Sequence, residues 1–269
     1  MTHKRKDPAL RRVAIALAVA AAVIVVGALL FLLRAPAEEE APSGPTAAEN
    51  EYDPDAFAMR DGFLRYDGGK HMVGIDVSTH QGVIDWQAVA DAGVEFAILR
   101  AGYRGSTEGK LYEDEQFREN FAGAKAAGLK VGVYFFSQAL NADEAAEEAE
   151  FACEILDGEA LDLPVFYDWE EVSGGTRVGS AASVPMTQCA AAFCEAVERR
   201  GYTAGVYFNQ TYGYGHLALE ELQDYTLWLA EYGQTPGFRY HFDCLQYTDS
   251  GTVAGIEGTV DLDLWIVQE

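Results

Sequence analysis

Hydrophobic positions in this chain alternate between a period of two and a period near 3.6, and the two patterns take turns. Residues 71–77 alternate strictly, with Val73, Ile75 and Val77 on one face and Gly74 and Asp76 on the other. Asp85 then caps a short helix that ends at Gly93. The same order repeats: a strand over 95–100, then a helix over 114–127 with Phe117, Phe121 and Ala124 on one face, stopped by Gly128. A strand over 130–136 precedes a helix that opens on the capping box Asn141/Glu144 and runs to Leu156. Residues 164–171, Pro-Val-Phe-Tyr-Asp-Trp-Glu-Glu, form a strand entered by a proline. Pro185 opens a helix to Arg200, Gly201 ends it, and 203–208 is the next strand.

The last third changes character. Residues 226–230, 242–247 and 260–267 have strand composition, but the gaps between them hold little helix. Upstream, 62–66 and 71–77 flank Asp67-Gly68-Gly69 and predict a hairpin. From residue 71 on there are eight strands and about five helices. Strand alternating with helix predicts parallel strands in crossover units, and eight of them predict an α/β closed barrel, TIM-like, whose final quarter has lost helices.

Residues 13–33 contain 21 consecutive uncharged positions, enough for a membrane-crossing helix. Lys4, Arg5, Lys6, Arg11 and Arg12 precede it, opposed only by Asp7. By the positive-inside rule residues 1–12 stay in the cytoplasm and everything after Arg34 is exported, so a single-pass cell-membrane protein is expected. A cleaved leader ending at Ala35-Pro36-Ala37 is the rival, but the apolar run is longer than the usual ~7–15 residues of such leaders. Residues 34–57, rich in Ala, Pro and Glu, read as a disordered linker, and 58–269 as the exported domain.

Charge narrows the partners. Six of the 19 Lys and Arg and one of the 43 Asp and Glu lie at or before Arg34. That leaves 13 bases against 42 acids in the exported part, a net charge near −29. Such a surface repels nucleic acid and anionic lipid. The four cysteines, Cys153, Cys189, Cys194 and Cys244, read as buried free thiols. The chain has no Cys-x-x-Cys and no His-Glu-x-x-His, so no metal or cofactor is expected.

Barrel chemistry sits at the C-terminal ends of the strands. Those ends carry Asp76, Arg100, Phe136, Asp168 with Glu170, Asn209, Glu231, Gln246 with Tyr247, and Asp261. In 164–171, Phe166, Asp168 and Glu170 share a face, and Val165, Tyr167 and Trp169 share the other. Carboxylates at i and i+2 beside an apolar run push at least one pKa upward, as a general acid requires. A lone Asp-x-Glu would read more readily as an acidic loop after a strand. In 260–267, however, Val260, Leu262, Leu264 and Ile266 take one face, which turns Asp261 and Asp263 to the side of Asp76. Acids from three distant strands then converge on one rim.

These pieces resemble the family 25 glycoside hydrolases, lysozymes that act as N-acetylmuramidases. The resemblance is carried by Gly74-Ile75-Asp76-Val77-Ser78, Gln81-Gly82, Ile84-Asp85-Trp86, Arg100-Ala101-Gly102-Tyr103 and Gly132-Val133-Tyr134 with Phe136-Ser137. It continues through Pro164-Val165, Asp168-x-Glu170, Trp228-Leu229-Ala230, Gln246-Tyr247, Gly251, Val253, Gly255-Ile256 and Val260-Asp261-Leu262. It implies a flattened, incomplete barrel and cleavage of the β-1,4 bond from N-acetylmuramic acid to N-acetylglucosamine in peptidoglycan glycan strands. It also implies Glu170 as the acid, Asp168 as its partner carboxylate, and Asp76 and Asp261 as accessory acids. Phe135 stands where many members have His, and Asp263 where many have Asn.

Arg100 and Gln246 are expected to contact substrate. Tyr103, Tyr134, Tyr207, Trp228 and Tyr247 lie near strand ends, where each can stack on a sugar or pack the core. A family 18 chitinase would need acids where Leu163 and Phe166 stand. A membrane-tethered module that binds peptidoglycan without turnover is the alternative from another class. A nucleophilic hydrolase lacks its Gly-x-Ser-x-Gly elbow.

Overall fold

Strand β3 (His71–Val77) starts the barrel, followed by β4 (Phe96–Arg104), β6 (Lys130–Ser137), β7 (Val165–Trp169), β8 (Ala204–Asn209), β9 (Thr226–Ala230), β10 (Cys244–Gly251) and β11 (Val260–Ile266). A short β5 (Leu111–Glu113) extends β4. The computed structural model describes residues 46–174 and 176–267. In it the sheet runs β3-β11-β10-β9-β8-β7-β6-β4, and β4 pairs back to β3, closing eight strands. The expected membrane helix over 13–33 and the tail before it lie outside the described residues. Among those described, no helix is long and apolar enough to cross a membrane.

The parallel rule holds for seven of the eight barrel strands. The exception is β11, which is antiparallel to both neighbours. Residues 252–259 contain no helix to carry the chain back across the barrel, so the last strand returns in the opposite direction. Its first residues therefore lie on the rim where the other strands end. Asp261 reaches that rim from the start of its strand, opposite Asp76 in the register.

Alternation divides the packing into two. Phe96, Ile98, Phe166, Trp228 and Cys244 fill the barrel interior. Val73, Ile75, Val165, Tyr167 and Leu245 face outward under the helices. Phe96 lies over Gly74 so closely that any Cβ there would overlap its ring. The longer covering helices are α2 (Phe117–Ala126), α3 (Ala142–Leu156) and α4 (Met186–Arg199), after a short α1 (Trp86–Asp91). Asn141 accepts the Glu144 N–H at the start of α3, as its capping box predicts. Two further short helices, α5 (Gln210–Gly215) and α6 (Leu219–Leu222), follow β8. All four cysteines are buried and unpaired by disulfides.

Two expectations about the entry segment are corrected. The hairpin joins β1 (Phe57–Arg60) to β2 (Phe63–Tyr66), not 62–66 to 71–77. Its turn is Asp61-Gly62, both at positive φ (52° and 84°), the backbone a two-residue hairpin with the right twist requires. The linker expected over 34–57 is not loose in its second half. Tyr52 donates its hydroxyl to the Phe242 carbonyl at 2.6 Å, and its ring packs on Phe57, Tyr66 and Phe242. Asn50 also donates to the Phe238 carbonyl. These anchors fix residues 46–57 to the barrel.

Candidate active site

At the rim where β3, β4, β6, β7, β8, β9 and β10 end, one cavity of about 300 Å3 gathers Asp76, Asp168, Glu170 and Asp261. Arg100, Tyr134, Tyr207, Trp228 and Gln246 line it too, with Phe136, His80 and Tyr232. The acids that alternation turned inward on β3, β7 and β11 thus meet around a single opening.

Gln246 organises one wall. Its amide nitrogen donates to Asp76 Oδ2 at 2.7 Å, and its Oε1 accepts the hydroxyls of Tyr207 (3.0 Å) and Tyr232 (3.2 Å). Trp228 forms the floor, with its indole N–H bound to Asp263 Oδ1 at 2.9 Å and its ring edge-on to Tyr207 and Phe166. On the far wall Arg100 is buried and pairs with Asp114 at 2.7 Å. Asp114 also accepts the Thr79 N–H, which ties the loop after β3 to the same carboxylate.

The backbone around Glu170 is held by two side chains from elsewhere, Gln138 and Tyr212, and the segment is tied down again through the indole of its own Trp169. Fully buried Gln138 donates its amide to the Glu170 carbonyl at 2.7 Å and to the Ser137 carbonyl at 2.8 Å. Both partners are carbonyl oxygens, so the nitrogen of Gln138 is the atom that faces them. Trp169 donates its indole N–H to the Ala139 carbonyl, and the Tyr212 hydroxyl accepts the Glu171 N–H. Behind Gln138, its own N–H reaches Glu148, which is buried against Arg104.

The model of the family described as "Glycosyl hydrolases family 25" matches residues 75–256. The chain belongs to that family. The autolytic lysozyme of Clostridium acetobutylicum is 34% identical over 193 residues, covering 71% of this chain and 55% of that protein. Lysozyme M1 of Streptomyces globisporus is 29% identical over 202 residues, 70% of this chain and 65% of its own length. The chain thus spans between about half and two thirds of these curated relatives. The modular autolysin LytC of Streptococcus pneumoniae superposes with a TM-score of 0.65 at 25% identity, over 78% of this chain and 52% of that one. A family 25 glycosyl hydrolase of Bacillus anthracis has the same fold, with a TM-score of 0.59 at 20% identity over 79% of this chain and 96% of that one.

For this family 25 domain, burial dominates the electrostatics of the site. It is the first cause raising the Asp76, Asp168, Glu170 and Asp263 carboxyls above their ordinary range, and it lifts Asp261 to about 6. Charge comes second: Asp263 and Asp261 raise Asp76, and Glu170 raises Asp168. The sequence predicts that like charge from Asp168 and Asp76 lifts Glu170. The structure corrects the cause, since burial lifts Glu170 while hydrogen bonds from Tyr207 and Asp168 work against it. Asp168 and Glu170 interact directly, and ionising both would set two like charges side by side in a buried place.

Two expected sugar contacts lie elsewhere. Tyr247 follows Gln246 on β10, and adjacent strand residues face opposite ways. Its ring is buried in the outer core, and its hydroxyl accepts the Leu64 N–H of the entry hairpin. Tyr103 stands beside the cavity rather than in it, stacked on Tyr112 with Arg100 over its ring at 5.4 Å. Tyr103 is three residues from Arg100, so unbroken alternation would set the two on opposite faces. The register shift in β4 between Arg100 and Gly102 brings Tyr103 to the Arg100 side. Phe135 faces away from the cavity and packs on Phe151 of α3. Tyr232 and His80 line the cavity without belonging to any strand pattern in the sequence. Both follow strand ends in loops, and that placement was the available signal.

Proposed function

We propose that this chain is a peptidoglycan hydrolase, a lysozyme that cleaves the β-1,4 bond from N-acetylmuramic acid to N-acetylglucosamine. The observation that carries the reading is the Asp168–Glu170 pair facing Asp76 and Asp261 across one opening. The names of the curated relatives, an autolytic lysozyme and a lysozyme, support the substrate class. Glycoside cleavage needs one carboxyl to protonate the leaving oxygen and another group to stabilise the positive charge that develops on the sugar.

Glu170 takes the first role. It is half-buried at the end of β7, where its carboxyl reaches the opening, whereas Asp168 sits one step deeper. Asp168 takes the second role, orienting and stabilising the acetamido oxygen of the substrate as that oxygen attacks the anomeric carbon. Asp76 and Asp261 hold the acidic field around the sugar, with Gln246 fixing the orientation of Asp76. The domain works outside the cell, tethered through the apolar stretch at 13–33.

Digestion of purified peptidoglycan, followed by mass spectrometry of the reduced fragments, tests the activity. Muramic acid at the new reducing ends is the expected result. Release of no fragments would leave only a binding module. For the tether, full-length protein should sediment with membranes and expose its C-terminal domain to external protease. A mature N-terminus near Glu38 in the medium would mean a cleaved leader instead.

A further inference from the structure

Strand pairing stops one residue short of Glu170. The β6–β7 ladder ends with Ser137 opposite Trp169, and β7 pairs with β8 only as far as Asp168. Glu170 therefore stands past the last rung on both sides, where no sheet register sets the direction of its side chain. A general acid has to reach one particular oxygen, so that direction must be fixed by something other than the sheet.

The peptide group that joins Glu170 to Glu171 is held at both of its polar ends. Gln138 Nε2 donates to its carbonyl at 2.7 Å, and the Tyr212 hydroxyl accepts its N–H at 3.1 Å. A trans peptide is planar and its C=O and N–H point opposite ways, so these two bonds fix the plane. Fixing that plane fixes the ψ angle of Glu170. On the other side of the acid, the Trp169 indole is tied to the Ala139 carbonyl at 3.1 Å. We propose that Gln138 and Tyr212 are positioning residues for the acid, clamping the peptide after Glu170 so that its carboxyl stays aimed at the opening. The inference rests on the lysozyme reading above, with Glu170 as proton donor, and adds what aims that donor.

The two grips come from the strands on either side of β7, and each is anchored in turn. Gln138 is the first residue past β6, as Glu170 is the first past β7. Its amide also donates to the Ser137 carbonyl at 2.8 Å, so it adds a side-chain rung across the two strand ends where the backbone rungs stop. Gln138 is fully buried, and Glu148 accepts its own N–H at 3.3 Å. Tyr212 is placed from β8. Asn209, the last residue of that strand, caps α5 by accepting the Tyr212 N–H at 3.1 Å. The Tyr212 ring then lies edge-on to Trp169, with centroids 5.8 Å apart.

Steady-state kinetics of the full chain on a peptide-free glycan tetrasaccharide test the clamp. Tyr212→Phe keeps the ring and removes one oxygen, while Gln138→Leu removes both amide donors. Gln138→Leu should lower kcat on the order of 10–100-fold, the scale of a displaced catalytic group, and Tyr212→Phe should lower it less. KM should stay close to wild type in both. In a Glu170→Gln background there is no proton donor to aim, so neither change should lower the residual rate further. A purely structural role would cut the rate by the same factor in both backgrounds. With an active wild type, equal losses in the two backgrounds, or wild-type kcat in Tyr212→Phe, overturn the clamp alone. Tyr212→Phe decides the matter by itself should Gln138→Leu fail to fold. A wild-type chain inactive on the tetrasaccharide would instead overturn the lysozyme reading, and the clamp with it.

Discussion

Glu170→Gln is expected to lower turnover on glycan strands by about 10²–10⁴-fold, the usual contribution of a general acid, with substrate binding largely kept. The substituted amide has the shape of the carboxyl but no proton to give. Glu171→Gln should stay near wild type, because Glu171 is exposed and only its backbone N–H is engaged, with Tyr212. Asp168→Asn should also cripple turnover and should move the basic limb of the pH profile to lower pH. The sign follows from the pair. The basic limb reports loss of its last proton, a step raised because it creates two adjacent buried charges. In the Asp168→Asn variant only one charge forms, so the proton leaves at lower pH. A dead Glu171→Gln beside an active Glu170→Gln would show that the neighbouring residue is the acid.

That prediction draws on what the sequence showed best. Period-two alternation on β3, β7 and β11 assigned Asp76, Asp168, Glu170 and Asp261 to one side of the sheet, and the four line one opening. Alternation needs only side-chain parity, which a regular strand preserves. It failed where parity was broken or ignored. The bulge in β4 puts Tyr103 on the side of Arg100, where unbroken alternation would set it opposite, and no residue pattern announces a bulge of that kind. Tyr247 was legible, since Gln246 and Tyr247 are neighbours on β10 and cannot both face the opening. The direction of β11 was legible as well, because a gap without a helix cannot make a parallel crossover. Tyr232 lay beyond reach, since its place depends on the Gln246 contact and on a loop with no periodicity. Asp61-Gly62 is itself a strong hairpin-turn signal, and it competes in the sequence with the Asp67-Gly68-Gly69 a few residues on.

Arg104→Met is expected to destabilise the folded chain by about 3–5 kcal/mol at pH 8, the cost of stranding one member of a buried ion pair. Arg104 is 4% exposed, its Nε donates to fully buried Glu148 at 2.7 Å, and its other nitrogens reach Glu147 and the carbonyls of Gly109 and Glu144. Even with this partner, burial lifts the Glu148 carboxyl to about 7. A carboxyl raised on folding keeps a proton that the unfolded chain has already lost. Its contribution to stability is therefore full below the unfolded value and falls as pH rises from about 4.5 through about 7. Wild type should lose stability across that window, with Asp261 adding in the same direction. Removing Arg104 takes away the charge that favours ionised Glu148 and raises that carboxyl further. The variant should therefore go on losing stability above about pH 7, where wild type levels off. At pH 5 Glu148 is protonated in the folded state and needs no cation, so there the substitution should cost markedly less than at pH 8. Urea unfolding of both proteins at the two pH values measures the difference. A loss that is equal at pH 5 and pH 8 would assign the role of Arg104 to its packing and carbonyl contacts, with the charge of Glu148 playing no part.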